Sequence, residues 1–409
     1  MQNREVSIYA KFYDKYTNIN KELLRTVGLW PQDEKRKDSI KRRGLAISYL
    51  LVLLGLTLTQ FYHVYLIWDN FFDCLEILCN TTTSFLIIHK TIIFIWNRDI
   101  ILNFESQGRR MWIAEFHDPN NVQIMIEAAK TAQKLTYIFL SIVIFTLTNF
   151  FIAPAVSVFY QWRSGVPPEE FHYVLPYLVK LPLDLHQPVQ HAIGYIPTTI
   201  CSITLIYYIA GIDSFYCTSV QHIVLHFKIL ARSLTQLQTI KHPNCGNAES
   251  VMNHLRSCVE KHDAIIKHSA VLEKIYSPII LGLGVISTLS MCMVIFHAVV
   301  TRGGHNGNIA LFVMYFSMEV SEVLLYCWFG NTLTLASSEV GWALYNTDWY
   351  SAHQDKVAFA SCLKIMMTRT QRPVKITAYK FADVSLKLFT NIMSTTASYF
   401  TLLRTLYQG

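Results

Sequence analysis

Polar side chains recur along one face of the last apolar segment of the chain, and their types suit an ion path. Spacings of four, three, four and three residues place on one helical stripe Asn391, Thr395, Ser398, Leu402 and Thr405, with Leu406 at its edge. Hydroxyl oxygens replace part of the hydration shell of a passing ion, whereas an apolar constriction blocks ions by dewetting. The stripe predicts a pore-lining helix with its constriction at Leu402; packing of Leu402 against neighbouring helices is the alternative interpretation.

Charged side chains within apolar segments are further candidates for chemistry. Glu319 and Glu322 lie three residues apart on one helical face, and other charged candidates at membrane depth are Lys90, Glu273, Lys274, Asp383 and Lys387. A carboxylate pair suits acid–base or metal chemistry, but a structural ion pair or a wet inner vestibule is favoured, because no further ligand stands at metal spacing. We therefore predict no enzymatic activity, no metal site and no cofactor.

His222 and His226 are one helical turn apart, which places two imidazoles on one face. This pair lacks the glutamate of the HExxH zinc motif, so it is a weak indication of metal binding.

The composition indicates a membrane protein. Of 409 residues, 52% are hydrophobic and only 15% are charged, and the mean hydropathy is +0.28. The formal net charge of +7 is divided among separate inter-helix segments, which argues against a nucleic-acid partner. We predict an all-α membrane protein in contact with lipid, with seven transmembrane helices at roughly 44–67, 71–96, 135–157, 188–213, 271–300, 308–330 and 379–407.

The distribution of Lys and Arg predicts the orientation of these helices. Eleven basic residues precede the first apolar segment, and 27 lie in the segments on that side of the membrane, against four on the other side. Because basic residues favour the cytoplasm, the N-terminus is expected to be cytoplasmic and the C-terminus extracellular. A metabotropic seven-helix receptor would have the opposite orientation, and no DRY or NPxxY motif occurs at the expected places.

Loop lengths divide the chain into four predicted regions. The long inner segments at 222–237 and 251–275 have the periodicity of amphipathic helices that continue the spans beyond the membrane. The regions are a cytoplasmic N-terminal segment (1–43), a six-helix transmembrane region with a ligand pocket in its outer half and cytoplasmic helix extensions at 214–270 (44–330), cytoplasmic anchor helices (331–378) and a pore-lining seventh helix (379–409).

The C-terminal quarter resembles the signature of the insect odorant receptors. It reads SSEVGWALYNTDWY at 337–350 and MMTRTQRPVKITAYKFADVSLKLFTNIMSTTASYFTLLR at 366–404. Its distinctive residues are Tyr345, Trp349, Tyr350, Arg369, Gln371, Pro373, Ser398, Tyr399 and Phe400. The segment 214–268 has little room for the insertion that the shared co-receptor of this family carries after the fourth span. The chain is therefore similar to an odour-tuning subunit.

The resemblance implies an odorant-gated, non-selective cation channel in the plasma membrane of olfactory neuron dendrites. Tuning subunits of the family assemble with the co-receptor as tetramers, and their terminal helices surround one pore. The family's apolar gate stands three residues after the Tyr of the Tyr-Phe pair, which is Leu402 here, and a polar ring follows at Thr405. Signature residues expected to serve subunit assembly are Tyr345, Trp349, Tyr350 and Pro373.

A pocket for a small, volatile, apolar ligand needs aromatic and sulfur-bearing walls with few polar groups. Spans two to six and the adjoining outer loop offer Leu78, Thr82, Phe150, Phe151, Tyr160, His191, Tyr195, Met293, Phe296, Phe312, Tyr315 and Phe316. Ordinary packing is the alternative for each of them, since 13% of the chain is aromatic.

Other functions stay open from the sequence. A gustatory-type or homomeric chemosensory channel is the nearest alternative, although SYFTLLRTLYQ departs from the TY-x5-QF ending of the gustatory receptors. A metabotropic receptor or a transporter is less favoured, the latter because no internal repeat is present.

Overall fold

The computed structural model describes residues 2–30, 36–116, 118–167, 170–171, 187–236, 248–301, 309–347 and 356–408, with single positions 173, 175, 176, 179 and 183. These residues form helices almost throughout. The elements are α1 (Gln2–Thr26), α2 (Arg36–Leu66), α3 (Phe71–Trp96), α4 (Arg98–Glu115), α5 (Pro119–Arg163), α6 (Pro188–Gln236), α7 (Ala248–Thr301), α8 (Ile309–Tyr345), α9 (Lys356–Thr370), β1 (Thr377–Ala378), β2 (Ala382–Asp383) and α10 (Leu386–Gln408).

Six of the described helices are long and apolar enough to cross a membrane. They correspond to the first six predicted spans and comprise Ile40–Leu66, Asp73–Trp96, Asn121–Arg163, Val189–Gln236, Val251–Val299 and Ala310–Tyr345. The seventh predicted span is α10, whose 23 residues extend roughly 35 Å at about 1.5 Å per residue, enough to cross a hydrocarbon layer of about 30 Å. The all-α architecture predicted from composition is confirmed.

Helix α6 lies at the centre of the bundle. It packs most extensively against α8 and α5, and it also contacts α1, α3 and α7. Between residues 208 and 230 it is buried on nearly every side, with Tyr208, Ile212, Tyr216 and Phe227 all 2% exposed or less. A helix that is apolar all round is stable only where other helices surround it. This position brings α6 into contact with most of the elements that carry candidate site residues.

Helices α6 and α7 continue far beyond the length that a bilayer requires, with 49 and 54 residues. The predicted helical segment at 222–237 lies in the extension of α6, which the structure describes up to Gln236. The predicted segment at 251–275 lies in α7. Helix α1 packs on the extended end of α6, and Tyr13 of α1 donates a hydrogen bond to Glu105 of α4 (3.1 Å). Burial beside this carboxylate raises the pKa of Tyr13, so its hydroxyl stays protonated and serves as the donor.

The start of the last helix differs from the prediction. The predicted helix begins at residue 379, whereas Thr377–Ala378 and Ala382–Asp383 pair as an antiparallel hairpin and α10 begins only at Leu386. Tyr379 and Lys380 adopt left-handed backbone with φ of 51° and 64°. Such strain persists only where the surroundings impose it.

Contacts with α7 and α8 supply those surroundings. The backbone N–H of Tyr379 donates to Ser277 Oγ (2.6 Å), and Thr377 Oγ1 donates to Glu273 (2.6 Å). Gly330 of α8 lies so close to the hairpin that a Cβ there would stand 2.6 Å from the carbonyl oxygen of Val384. The hairpin is therefore a tertiary feature that no helical periodicity reveals, and this is why the predicted boundary was wrong.

Candidate ligand pocket and ion path

Helix α10 has two faces of different character. Ile392 and Thr396 are buried, while Phe400 and Leu403 pack partly against the core that α7 and α8 form. The opposite face is exposed in the single chain and carries the predicted pore stripe, namely Asn391, Thr395, Ser398, Leu402, Thr405 and Leu406. The whole stripe thus shares one face, and that face contacts no other part of the described chain extensively.

The hydroxyl groups of the exposed face donate to their own helix. Thr395 bonds the carbonyl of Asn391 (2.8 Å), Ser398 that of Ser394 (3.0 Å) and Thr405 that of Thr401 (2.9 Å). Each donor is thereby satisfied, while oxygen lone pairs stay available on the open side. These three hydroxyl groups present acceptors and no free donor, which suits a cation more than an anion.

Leu402 and Leu406 interrupt this hydroxyl face. Leu402 is 55% exposed and Leu406 is 71% exposed. Packing of Leu402 inside its own chain, the alternative interpretation, is therefore slight. Apolar groups left this open on a membrane helix are covered by something outside the chain, either lipid or another subunit.

A group of charges is buried between α3, α6 and α8. Lys90 Nζ donates to Asp213 Oδ1 (2.7 Å) and also bonds Glu322. Tyr326 donates to the same Asp213 oxygen (2.6 Å). These four residues form what we name the ion cluster, and none of them is more than 3% exposed. The ion-pair interpretation is confirmed for Glu322, with Lys90 as its partner.

Aromatic side chains pack beside the ion cluster. The rings of Tyr216 and Tyr326 stack with centroids 4.4 Å apart, and Tyr216 donates to the carbonyl of Tyr326 (3.1 Å). Tyr276 of α7 donates to the carbonyl of Ile212 (2.9 Å). These bonds tie α6, α7 and α8 together, so the cluster holds the centre of the bundle in one arrangement.

Tyr315 is the best-connected of the predicted pocket residues. Its hydroxyl bonds Thr83 and Ser290 (3.1 Å) and donates to the carbonyl of Cys79 (3.2 Å), so it joins α3, α7 and α8. The ring of Phe150 from α5 lies edge-on to it, with centroids 6.0 Å apart. Four helices therefore converge on this tyrosine.

A second group of predicted pocket residues lies at the beginning of α6. The rings of His191 and Tyr195 are 5.4 Å apart, and Tyr195 donates to the carbonyl of Phe151 in α5. The ring of Tyr173, in the segment before α6, is tilted by 38° against that of His191, with centroids 4.7 Å apart. Tyr173 was not among the predicted pocket residues.

The remaining predicted pocket residues differ in how deeply they are buried and in what they contact. Met293 and Phe296 of α7 are buried, and Leu78, Thr82, Phe312 and Phe316 are half-buried. Phe296 also meets Tyr407 of α10, with ring centroids 5.9 Å apart, which joins this wall to the last helix. Tyr160 is 63% exposed and its one ring contact described is with Phe159, so the structure does not bring it to the other residues.

Two of the predicted assembly residues, Tyr345 and Pro373, lie near the ends of α8 and α9. Tyr345 is 61% exposed in the last turn of α8. Pro373 is half-buried, next to Val374, whose N–H donates to Ser337 of α8 (2.9 Å). Trp349 and Tyr350 lie outside the described residues.

Two of the remaining charged candidates, Asp383 and Glu273, form ordinary contacts. Asp383 pairs with Lys375 across the hairpin (2.6 Å) and Glu273 accepts from Thr377. The His222 and His226 Nε2 atoms are 3.4 Å apart, and no group of three His, Cys, Asp or Glu side chains within the described ranges is arranged for a metal ion.

The sequence interpretation missed Asp213, Thr83 and Ser290. Asp213 had a usable signal, because it is an acidic residue at the end of a predicted apolar span, where a charge indicates a buried partner. Thr83 and Ser290 had none, since isolated hydroxyl residues are common in membrane helices and only the fold brings these two to Tyr315.

Comparison with known proteins agrees with this architecture. The family model described as 7tm Odorant receptor matches residues 70–397. Odorant receptor 13a of Drosophila melanogaster is 27% identical, with 94% of each chain covered, and odorant receptor 22c of the same species is 24% identical over 93% of this chain and 94% of the relative.

The fold is similar to that of a solved insect olfactory receptor. The structure of OR5 from Machilis hrabei in complex with eugenol superposes with a TM-score of 0.79 at 17% sequence identity, over 97% of this chain and 99% of that chain. The structure of the same receptor described without a ligand gives a TM-score of 0.78. With a family model that matches most of its length, this multi-pass membrane protein belongs to the 7tm odorant receptor family.

Proposed function

We propose that this chain is an odour-tuning subunit of an odorant-gated, non-selective cation channel. The observation that carries the proposal is the two-faced α10, which is packed on one side and presents hydroxyls with a leucine constriction on the other. In a tetramer whose copies of α10 surround one axis, these open faces meet. Thr395 and Ser398 then hydrate the ion, and Leu402 closes the path when no odorant is bound.

Exposed apolar residues on α8 support assembly with other subunits. Trp328, Leu335 and Trp342 are seven residues apart, so they lie on one helical stripe, and each is more than half exposed. Apolar surface of this size on a helix indicates a protein partner or lipid. We assign it, with Tyr345, to contacts between subunits, and we expect the partner to be the shared co-receptor in a heterotetramer.

The ligand site is assigned to the convergence of α3, α5, α7 and α8 around Tyr315. The OR5 structure in complex with eugenol supports a small organic ligand for this fold. An odorant opens the channel only to the extent that it binds the open state more tightly than the closed state. Helix α7 connects the two sites, because it bears Ser290 and Phe296 at the pocket and packs against α10.

For the orientation and the regional boundaries we propose what the sequence predicts. We place the N-terminus in the cytoplasm and the C-terminus outside the cell, with residues 331–378 as the anchor region and the pore helix within 379–409. Epitope tags at each terminus, stained before and after permeabilisation, test this orientation.

Whole-cell current during a panel of volatiles tests the channel function. Cells express this chain alone, the co-receptor alone, or both, with surface labelling of each. We expect fast inward cation current, insensitive to G-protein block, in the panel only when both subunits are present. Current from this chain alone would identify a homomeric channel, and current that requires G-protein signalling would contradict the proposal.

A further inference from the structure

Glu319 is a buried carboxyl group that its own chain leaves partly unsatisfied. It lies on α8 and is 2% exposed, and its Oε2 atom has no hydrogen-bond partner among the described residues. Burying a carboxyl oxygen without a partner is costly, and buried polar groups in proteins are nearly always bonded. This oxygen is therefore a site where a partner from outside the chain gains a strong interaction.

The nearby cation is already used. Lys90 bonds Asp213 and Glu322, and it is the ammonium group that faces this region from α3. One lysine is thus set against three buried carboxyl groups, and Glu319 is the one of the three without an ion pair. The neighbours of Glu319 are the hydroxyl groups of Tyr315 and Ser287, the thiol of Cys79 and the like charge of Glu322, while Lys90 acts on it only through space.

The unsatisfied oxygen adjoins the candidate pocket. Glu319 is one helical turn from Tyr315, so the two side chains share a face of α8. The Tyr315 hydroxyl is already engaged by Thr83, Ser290 and Cys79, whereas Ser287 Oγ, also fully buried, has no partner among the described residues. Beside Tyr315, unused hydrogen-bonding capacity therefore lies at Glu319 and Ser287, and a further buried oxygen without a partner among the described residues, Asp213 Oδ2, lies in the ion cluster.

We infer that the ligand of this receptor carries a hydrogen-bond donor, the O–H of an alcohol or the N–H of an amine, which Glu319 accepts. This inference rests on the proposed function and on the assigned pocket. An ionised carboxylate accepts at both oxygens, and a protonated one that donates to a neighbouring hydroxyl still has an oxygen free to accept. Ethers and hydrocarbons offer no such donor.

The test uses four ligands built on one carbon skeleton: a primary alcohol, the corresponding amine, the methyl ether and the hydrocarbon. Each is applied to cells that express this chain with the co-receptor. We expect the alcohol or the amine to activate at concentrations at least roughly tenfold lower than the ether and the hydrocarbon, which corresponds to one hydrogen bond to a charged group. Glu319→Leu should remove this difference, and Glu319→Gln should reduce it because the amide oxygen still accepts.

Glu339→Gln is the matched control, because it makes the same change at an exposed position of the same helix. It should leave all four potencies unchanged. Surface labelling accompanies every variant, and Glu319→Gln decides the question if Glu319→Leu does not reach the membrane.

Two results would overturn the inference while leaving the channel function intact. In one, the ether or the hydrocarbon is as potent as the donors in the unaltered chain. In the other, the donor preference survives in both Glu319 variants, which would mean that a group other than Glu319 accepts the ligand's donor. Failure of the proposed function differs from both, because no ligand in any chemical class would then evoke current from a subunit verified at the surface.

Discussion

The exposed face of α10 and the ion cluster are both polar regions of an apolar protein, yet they are satisfied in opposite ways. On α10 the hydroxyl groups of Thr395, Ser398 and Thr405 donate to carbonyls of their own helix, so they need no other element. In the ion cluster Lys90 depends on Asp213 and Glu322 from two other helices, with no access to water. The first arrangement tolerates exchange of what lies against it, as the proposed ion path requires. The second requires fixed partners and therefore holds helices together.

Loss of Lys90 should change the stability of the protein more than any other substitution proposed here. Lys90→Met leaves Asp213 and Glu322 as buried carboxyl groups without their cation, which costs on the order of 3–5 kcal/mol of folding free energy. We expect loss of surface labelling and a lower melting temperature for the detergent-extracted protein.

Simultaneous replacement of the whole charge set sharpens this prediction. Lys90→Met combined with Asp213→Leu and Glu322→Leu removes all three charges together, and apolar replacement of a buried ion pair is often neutral or stabilising. Surface expression should return in this variant. If Lys90→Met alone is as stable as the unaltered chain, the ion cluster does not hold the helices.

Substitution of Leu402 tests the exposed face of α10 by its effect on channel current, not on protein stability. Leu402→Ala removes apolar contact worth about 0.8 kcal/mol per methylene from each copy of the constriction. We expect unstimulated current to rise roughly tenfold, since about 1.4 kcal/mol of relative stability shifts the closed–open equilibrium by that factor. The measurement is basal current with the co-receptor present.

Leu403→Ala is the paired control for Leu402. Leu403 is the next residue but packs partly against the core of its own chain. Its loss should reduce expression without opening the channel. If Leu402→Ala leaves basal current at the unaltered level, at equal surface density, Leu402 is a packing residue and not the gate.

Tyr315 lies between the two regions in character, because its hydroxyl is buried like the ion cluster while its ring borders the candidate pocket. Tyr315→Phe removes one hydroxyl with bonds to α3 and α7, at a cost of about 1 kcal/mol. We expect normal surface expression and a changed rank order of odorants in concentration–response curves. An unchanged rank order would exclude Tyr315 from the ligand site.

Two adjacent threonines give the smallest and most direct test of the two faces of α10. Thr395 is exposed, and Thr396 is 1% exposed, yet both donate to a carbonyl one turn earlier. Thr→Val keeps the volume of the side chain and removes the oxygen. Thr395→Val should lower single-channel conductance with a stability change within about 0.5 kcal/mol, whereas Thr396→Val should alter stability by about 1 kcal/mol and leave conductance unchanged. Equal conductance effects at both positions would contradict the assignment of the faces.

The polar stripe of α10 could be predicted from the sequence and the ion cluster could not, for a physical reason. The stripe from Asn391 to Thr405 depends only on helical periodicity, which is local, so spacing alone placed these residues on one face. The partners of Lys90 are 123 and 232 residues away along the chain, and no local pattern connects them. Tyr160 illustrates the same limit of sequence-based prediction. Its residue type and its position near the outer loop suggested a pocket residue, yet the fold does not pack it with the other predicted pocket residues.

By itself the sequence determined the all-α membrane architecture, the approximate positions of the seven helices and the polar stripe of the last one, because apolar length and helical period act within a few turns of chain. Only the tertiary structure decided where α10 begins, since contacts with Glu273, Ser277 and Gly330 stabilise a hairpin in place of its predicted first turns. It alone also decided that Glu322 is paired and Glu319 is not. The two are three residues apart on one helix, and the difference arises because Lys90 from another helix reaches only one of them.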